Sequence, residues 1–286
     1  MSTPTIDIEH LRSWIGRSQS DSDPALVRHA RLMAATVDRP GPALAEGDPL
    51  PHCWHWVYFL EGVPPGRIGP DGHPERGGFM PPVPLPNRMW AGGEVRFEAP
   101  IPLGATMDKR STIQSVEHKS GRSGDLVFVT VEHEISVEGT RRIHELQNIV
   151  YKSPAPAGNA KPPADGGPAP GQHVRKLTPD TTLLFRYSAL TFNGHRIHYD
   201  QDYCREVEGY DNCVVHGPLV ATLLCGLAAD VGPAPLRRFS YRGLRPAILG
   251  ADLEFHASVE GNSARIWSRL PDGGVSMQAE AEYGDA

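Results

Sequence analysis

One short signal occurs twice, about half a chain apart, and it constrains the fold more than any other feature. "FEAPIPLGATMD" (97–108) and "LRPAILGADLE" (244–254) share a proline, two variable positions and then Leu-Gly-Ala: Pro100 with Leu103, Gly104 and Ala105, and Pro246 with Leu249, Gly250 and Ala251. Strand-like stretches come after each copy, so the chain reads as a duplicated unit. In the first half these are "LVFVTVEHEISVEG" and "RRIHELQNIVYK"; in the second they are "DLEFHASVEG", "SARIWSRL" and "GVSMQAEAEY". "PDGG" (271–274) reads as the hairpin turn between the last two.

Between the copies lies "SPAPAGNAKPPADGGPAPGQ" (153–172), half of it Pro or Gly and without large apolar side chains. Such a segment cannot bury enough surface to order itself, so it reads as a linker. The expected organisation is an N-terminal half (1–152), a linker (153–173) and a C-terminal half (174–286). Helices are fewer. "IDIEHLRSWIGRS" and "DPALVRHARLMAATVD" have helical spacing with Asp and Pro at their starts. "HGPLVATLLCGLAADVG" (216–232) is apolar nearly all round, which requires neighbours on most of its faces. The fold class expected is α+β, with a central helix gripped by a curved antiparallel sheet, once per half.

A chain of 286 residues can bury a sizeable core, and its formal charge of −6 provides no global basic field for nucleic acid or an anionic membrane. An anionic ligand must then be held by local arginines. The N-terminus lacks the basic-then-apolar layout of a secretory signal, and no apolar run approaches the roughly 20 residues that span a bilayer. A cytoplasmic location is the expectation. Cys53, Cys204, Cys213 and Cys225 show no CxxC spacing and read as reduced, structural residues.

The chemistry concentrates after the linker. "LLFRYSALTFNGHRIHYDQDYC" runs through a polar turn at Asn193-Gly194 to His198, and "EGYDNCVVHGPLVATLL" ends in His216-Gly217, with Pro218 at the first turn of the apolar helix. A helix start exposes unpaired N–H groups with partial positive charge, so Gly217 offers a donor where a carbonyl oxygen gains negative charge. Adding water to an α,β-unsaturated thioester needs a base for the water, a proton for Cα and a donor on the thioester oxygen. His198 supplies the first, Gly217 the third, and Asn193 can hold water or carbonyl. His216 divides evenly between orienting the helix start and touching substrate, while His195 reads as structural or exposed.

"FNGHRIHYD" followed by "VVHGPLVATLL" resembles the MaoC-like hydratase/dehydratase family. "DGHPERGGFMPP" (71–82) and "NRMWAGG" (87–93) resemble the N-terminal domain of the subgroup that holds mesaconyl-CoA hydratase, itaconyl-CoA hydratase and the hydroxyacyl-thioester dehydratases of type 2. The resemblance implies a double hot-dog fold, a homo-oligomer, and hydration of an enoyl-CoA, a C4–C5 dicarboxylic one among the candidates. The coenzyme A thioester is then the substrate and no cofactor is implied. His198 falls on the family's catalytic histidine and His216-Gly217 on the oxyanion segment. Asn193 stands where the wider group has its catalytic aspartate, five positions before the histidine. An amide cannot exchange a proton near neutral pH. Either His198 performs both transfers through one water, or Asp200, Tyr187 or His195 substitutes.

Arg88, Trp90, Arg186 and Arg196 are placed by the resemblance to meet the acyl group. Arg237, Arg238, Arg242 and Arg245 form the densest basic cluster, which reads as a solvated strand end or a clamp for coenzyme A phosphates. "HRIH" and "HCWH" have His-x-x-His spacing, but neither reads as a helix and no third ligand stands at a recognised spacing, so no metal site is expected. Two other functions compete. A hot-dog thioesterase needs a carboxylate on the central helix, where the sequence has only Asp230 near the far end; a non-catalytic acyl-CoA binding protein would account for the missing aspartate.

Overall fold

The computed structural model describes residues 6–121, 124–153 and 167–284. Most of the stretch read as a linker, 154–166, lies outside them. The N-terminal half contains α1 (Ile8–Arg12), β1 (Ser18–Pro24), α2 (Val27–Thr36), β2 (Asn87–Phe97), β3 (Thr106–Gly121), β4 (Gly124–Val137) and β5 (Thr140–Lys152). The C-terminal half contains β6 (His173–Leu177), α3 (Thr181–Thr191), α4 (Gln201–Tyr203), α5 (Gly217–Val231), β7 (Leu236–Gly243), β8 (Leu253–Glu260), β9 (Ser263–Arg269) and β10 (Val275–Tyr283).

The ten strands of the described residues belong to one sheet, in the order β1-β3-β4-β5-β2-β7-β10-β9-β8-β6. Every neighbouring pair is antiparallel. Read outward from the centre, the two halves run through the same order, β2-β5-β4-β3-β1 and β7-β10-β9-β8-β6. They join where β2 pairs with β7, from Gly92 opposite Arg242 to Arg96 opposite Arg238.

The Leu-Gly-Ala repeat is one turn built twice with matching hydrogen bonds. Ala105 N–H donates to Pro102 O and Ala251 N–H to Ile248 O, both at 3.1 Å. Gly104 N–H reaches Ala25 O at 2.8 Å, and Gly250 N–H reaches Pro179 O at 2.9 Å. Both glycines have left-handed backbone, with φ of +94° and +81°, which an L side chain would strain.

The same correspondence shows where the halves differ. Leu50 N–H donates to Ile101 O and Val215 N–H to Ala247 O, both at 2.8 Å, so Leu50 occupies the place of Val215. After Val215 the chain enters α5, whose Leu219, Val220, Leu224, Cys225 and Leu227 are buried against the sheet. After Leu50 comes Pro51, then Cys53 in left-handed backbone, then a 3-10 turn at Trp54–Val57. Pro64, Pro65, Pro70 and Pro74 interrupt the next stretch of chain, and each lacks the N–H a helix needs. The central helix expected in each half is therefore found only in the second half among the described residues. In the first half the sheet is filled instead by Trp54 and Val57 at one end and by Leu11, Val83 and Leu85 at the other.

Asp180 caps α3, its carboxylate accepting from Leu183 N–H at 2.7 Å, a contact worth about 1 kcal/mol. Left-handed Phe192 ends α3 and turns the chain into Asn193-Gly194. The four cysteines are free and buried. No helix of the described residues is long and apolar enough to cross a membrane.

Candidate active site

A cavity of about 320 Å³ opens between the halves at the start of α5. His73, Arg88 and Trp90 line it from the N-terminal half, and Asn193, His198 and Gly217 from the C-terminal half. Arg196–His198 forms a 3-10 turn rather than a plain loop, and this turn buries the His198 ring. Its Nδ1 lies 2.7 Å from the Val214 carbonyl oxygen. A carbonyl only accepts, so Nδ1 carries the hydrogen and Nε2 keeps its lone pair. Burial lowers the His198 pKa to about 4, with the Val214 hydrogen bond opposing and His73 adding to the shift. The resting ring is a neutral base.

His216 stacks on His198 with centroids 3.6 Å apart, and its Nε2 lies 2.8 Å from Ser188 Oγ. It is fully buried, and burial with the neighbouring His198 and His195 keeps it neutral. His216 is therefore the floor under His198 and the residue before α5, outside direct reach of the cavity. Tyr187 is buried beneath it, ring centroids 4.9 Å apart, and its hydroxyl has no partner among the described residues. Pro218 lacks an N–H, so Gly217 presents the terminal amide of α5 to the cavity.

Asn193 lines the cavity but its Oδ1 accepts the His195 N–H at 2.9 Å, so the amide also holds the turn. Asp200, weighed as a substitute acid, turns away. It accepts from Tyr203 N–H at 3.0 Å as the cap of α4 and pairs with Arg196 at 2.7 Å. The 3-10 turn that ends at His198 separates the two side chains, as helical geometry there would. Arg196 is occupied by that pair, by the Tyr203 ring at 4.2 Å and by Pro70 O at 3.2 Å.

The other arginines lie elsewhere. Arg186 borders a separate cleft with His52, Trp54 and Asp180. Arg237 donates to backbone oxygens of Gly284, Phe97 and Glu98, and Arg238 pairs with Glu94 and Glu282. Arg242 borders an outer surface cleft with Arg265 and Trp267. Of the cavity's two arginines, Arg245 is paired with Asp272 at 2.6 Å, whereas Arg88 has no carboxylate partner among the described residues.

Sequence reasoning missed two contributors. Glu208 lines the cavity, accepts from Asn87 Nδ2 at 2.7 Å, and has its pKa raised by burial against the opposing Tyr203 hydrogen bond. His73, in the "DGHPERGGF" loop, packs its ring on His195 with centroids 4.1 Å apart. Asp71, His73 and His195 bring ligand atoms within 4.8 Å of one another, a grouping that the His-x-x-His spacings gave no reason to expect. Both Asp71 oxygens are taken by His73, from its backbone N–H at 3.0 Å and its Nδ1 at 3.2 Å. That arrangement is a carboxylate–imidazole pair. Nothing local in the sequence joins residue 73 to residue 195.

The fold is the double hot-dog that solved MaoC-like dehydratases share. The family described as hydroxyacyl-thioester dehydratase type 2 matches residues 53–249. A mesaconyl-C(4)-CoA hydratase of Chloroflexus aurantiacus is 42% identical over 272 residues, covering 95% of this chain and 97% of its own. The mitochondrial hydroxyacyl-thioester dehydratase type 2 of Schizosaccharomyces pombe is 26% identical, covering 88% and 90%. Among solved structures, a MaoC-like dehydratase from Phytophthora capsici superposes with a TM-score of 0.71 at 12% identity, covering 98% of each chain. A Mycobacterium tuberculosis protein described as a double hot-dog fold gives 0.52 at 15% identity, covering 94% and 96%. The chain belongs to the hydroxyacyl-thioester dehydratase type 2 family.

Proposed function

We propose that the chain reversibly hydrates an α,β-unsaturated acyl-CoA whose short acyl group, C4–C5 in length, carries a free carboxylate, as in mesaconyl- or itaconyl-CoA. The observation that carries the reaction is the neutral His198, its Nδ1 held by Val214 O, in one cavity with the Gly217 amide at the start of α5. The thioester oxygen accepts from Gly217 N–H, which draws electron density from the double bond and exposes Cβ to water. His198 Nε2 takes a proton from that water as the O–Cβ bond forms. Cα then takes up, in net terms, the proton that His198 removed from water, and the reverse steps dehydrate the 3-hydroxyacyl-CoA.

Three features support the acyl group. The cavity is at the small end of ligand pockets. Arg88 offers a guanidinium without a carboxylate partner among the described residues, and a guanidinium fork fits a carboxylate in two parallel hydrogen bonds. The 42% identical relative is named for mesaconyl-C(4)-CoA. In the thioesterase reading the helix carboxylate is Asp230, but it pairs with Arg175 at 2.8 Å near the far end of α5. The same family reading implies a homo-oligomer with substrate held between residues 1–152 and 174–286, which sedimentation tests; the cytoplasmic location expected from the sequence is tested by cell fractionation.

The deciding experiment supplies the purified chain with mesaconyl-C4-CoA, itaconyl-CoA and crotonyl-CoA. Loss of enoyl-thioester absorbance without release of thiol supports hydration. Thiol release would replace this reading with hydrolysis, and tight binding without turnover would replace it with a binding protein.

A further inference from the structure

Resting on the hydratase reading above, we infer that His73, backed by Asp71, is the second proton-transfer group of the cavity, supplied by the N-terminal half in place of the carboxylic acid that Asn193 lacks. Hydration moves two protons, one off water and one onto Cα, and His198 accounts for the first. The Asn193 amide cannot exchange a proton, and its Oδ1 is engaged by the His195 N–H. Glu208 is held by Asn87 Nδ2 and by the Tyr203 hydroxyl at 3.4 Å. The Tyr210 phenol, also on the cavity wall, is pushed up to about 12 by burial. His195 lies between His73 and His198, its ring 4.1 Å from one and 5.5 Å from the other.

His73 differs from these in having a carboxylate behind it. Asp71 accepts from its Nδ1, which fixes the tautomer, leaves Nε2 for the cavity and stabilises the imidazolium. The loop that carries the pair is fastened to the catalytic turn. Arg196 N–H donates to Asp71 O at 2.9 Å, and Gly69 and His73 close the loop with an N–H to O contact of 2.7 Å. Gly72 abuts Gly194 so closely that a Cβ there would sit 1.9 Å from the Gly194 oxygen. Two loops far apart in sequence are thus held in register by backbone contacts.

The step balances. Water's O–H bond breaks toward His198 Nε2 and its oxygen bonds Cβ. The π pair moves to Cα, which takes the proton from His73 Nε2. The proton on His198 then returns to His73 through His195 or solvent, restoring both rings. The charged and titratable neighbours of His73 are Asp71, Arg76, Arg88, His195 and His198. Burial lowers its pKa, Asp71 opposes this, and Arg88 and Arg76 reinforce it. A substrate carboxylate seated on Arg88 cancels part of that repulsion and so favours the protonated ring when substrate is present.

The test uses the full chain with mesaconyl-C4-CoA, comparing His73→Asn, Asp71→Asn and His73→Asn/Asn193→Asp with the unaltered protein. Binding of saturated methylsuccinyl-CoA reports an intact cavity. For His73→Asn, kcat should fall about 100-fold with KM within about threefold, and the alkaline limb of the kcat–pH profile should disappear. Asp71→Asn should lower kcat about tenfold and move that limb to lower pH, and the double variant should regain about tenfold over His73→Asn. A His73→Asn enzyme within about threefold of the unaltered kcat, or one that loses rate with both limbs in place, overturns the assignment. An unaltered protein that hydrates no enoyl-CoA overturns the hydratase reading and this inference with it.

Discussion

His198 donates its Nδ1 hydrogen to the carbonyl oxygen of Val214 across 2.7 Å, and this contact leaves Nε2 as the ring nitrogen with a free lone pair. Replacing His198 with Ala should reduce kcat by about 1,000-fold, within the range for loss of a general base. Steady-state kinetics, with circular dichroism to show an unchanged fold, checks this.

Burial also ties His198 to pH. Its pKa is lowered to about 4 from 6.5, so the unfolded chain binds more protons between those values and stability rises with pH across that window. Stability is full above about pH 6.5 and is lost on acidification toward pH 4, by about 3 kcal/mol from this residue at 1.36 kcal/mol per unit. Denaturant unfolding of the unaltered protein and His198→Gln at pH 4.5 and 7 should show a smaller pH dependence in the variant. The acid limb of kcat/KM should likewise fall near pH 4 rather than 6.5.

The proposed function makes Arg88 the residue that separates substrates. Arg88→Met should lower kcat/KM for mesaconyl-C4-CoA by about 10- to 100-fold, the range of a lost charge-assisted pair. Activity on crotonyl-CoA, which has no carboxylate to seat, should change by less than about threefold. Parallel kinetics on the two substrates gives the ratio.

Gly72→Ala places a Cβ against Gly194 O at a backbone φ of +89°. The DGH loop should then part from the catalytic turn, lowering kcat by at least about tenfold. Thermal unfolding should change little, because Asp71, Gly72 and His73 belong to neither hydrophobic core.

Much of the second half is legible in the sequence because its signals are local. Alternating residues and the "PDGG" turn mark β8, β9 and β10, and the all-round apolar run marks α5. The repeat proves to be the same turn with the same hydrogen bonds. β3 is harder, because inward-facing Ser111 and many charged residues blunt the alternation over Thr106–Gly121. α3 reads only as an apolar start, although Leu183, Leu184, Tyr187 and Leu190 recur at helical spacing behind the Asp180 cap. β1 is a short, polar edge strand that merges in sequence with the helical stretches on either side.

The site is legible where motif residues are neighbours in sequence. His198, Asn193 and Gly217 do meet in one cavity, with Arg88 and Trp90. Arg186 and Arg196 stand out by their nearness to the motif and Arg237, Arg238 and Arg242 by their charge, and neither signal says which acid or carbonyl is nearby. His73 and Asp71 reach the cavity through a contact between segments far apart in sequence, which only the joining of the two half-sheets creates.

The most direct measurement follows mesaconyl-C4-CoA with the purified chain and its His198→Ala variant, recording enoyl-thioester absorbance and free thiol together. Hydration that approaches the same equilibrium from either side, releases no thiol and disappears in the variant is the expected result. No loss of the double bond, or loss accompanied by stoichiometric thiol, would contradict the assignment of this cavity as a hydratase site.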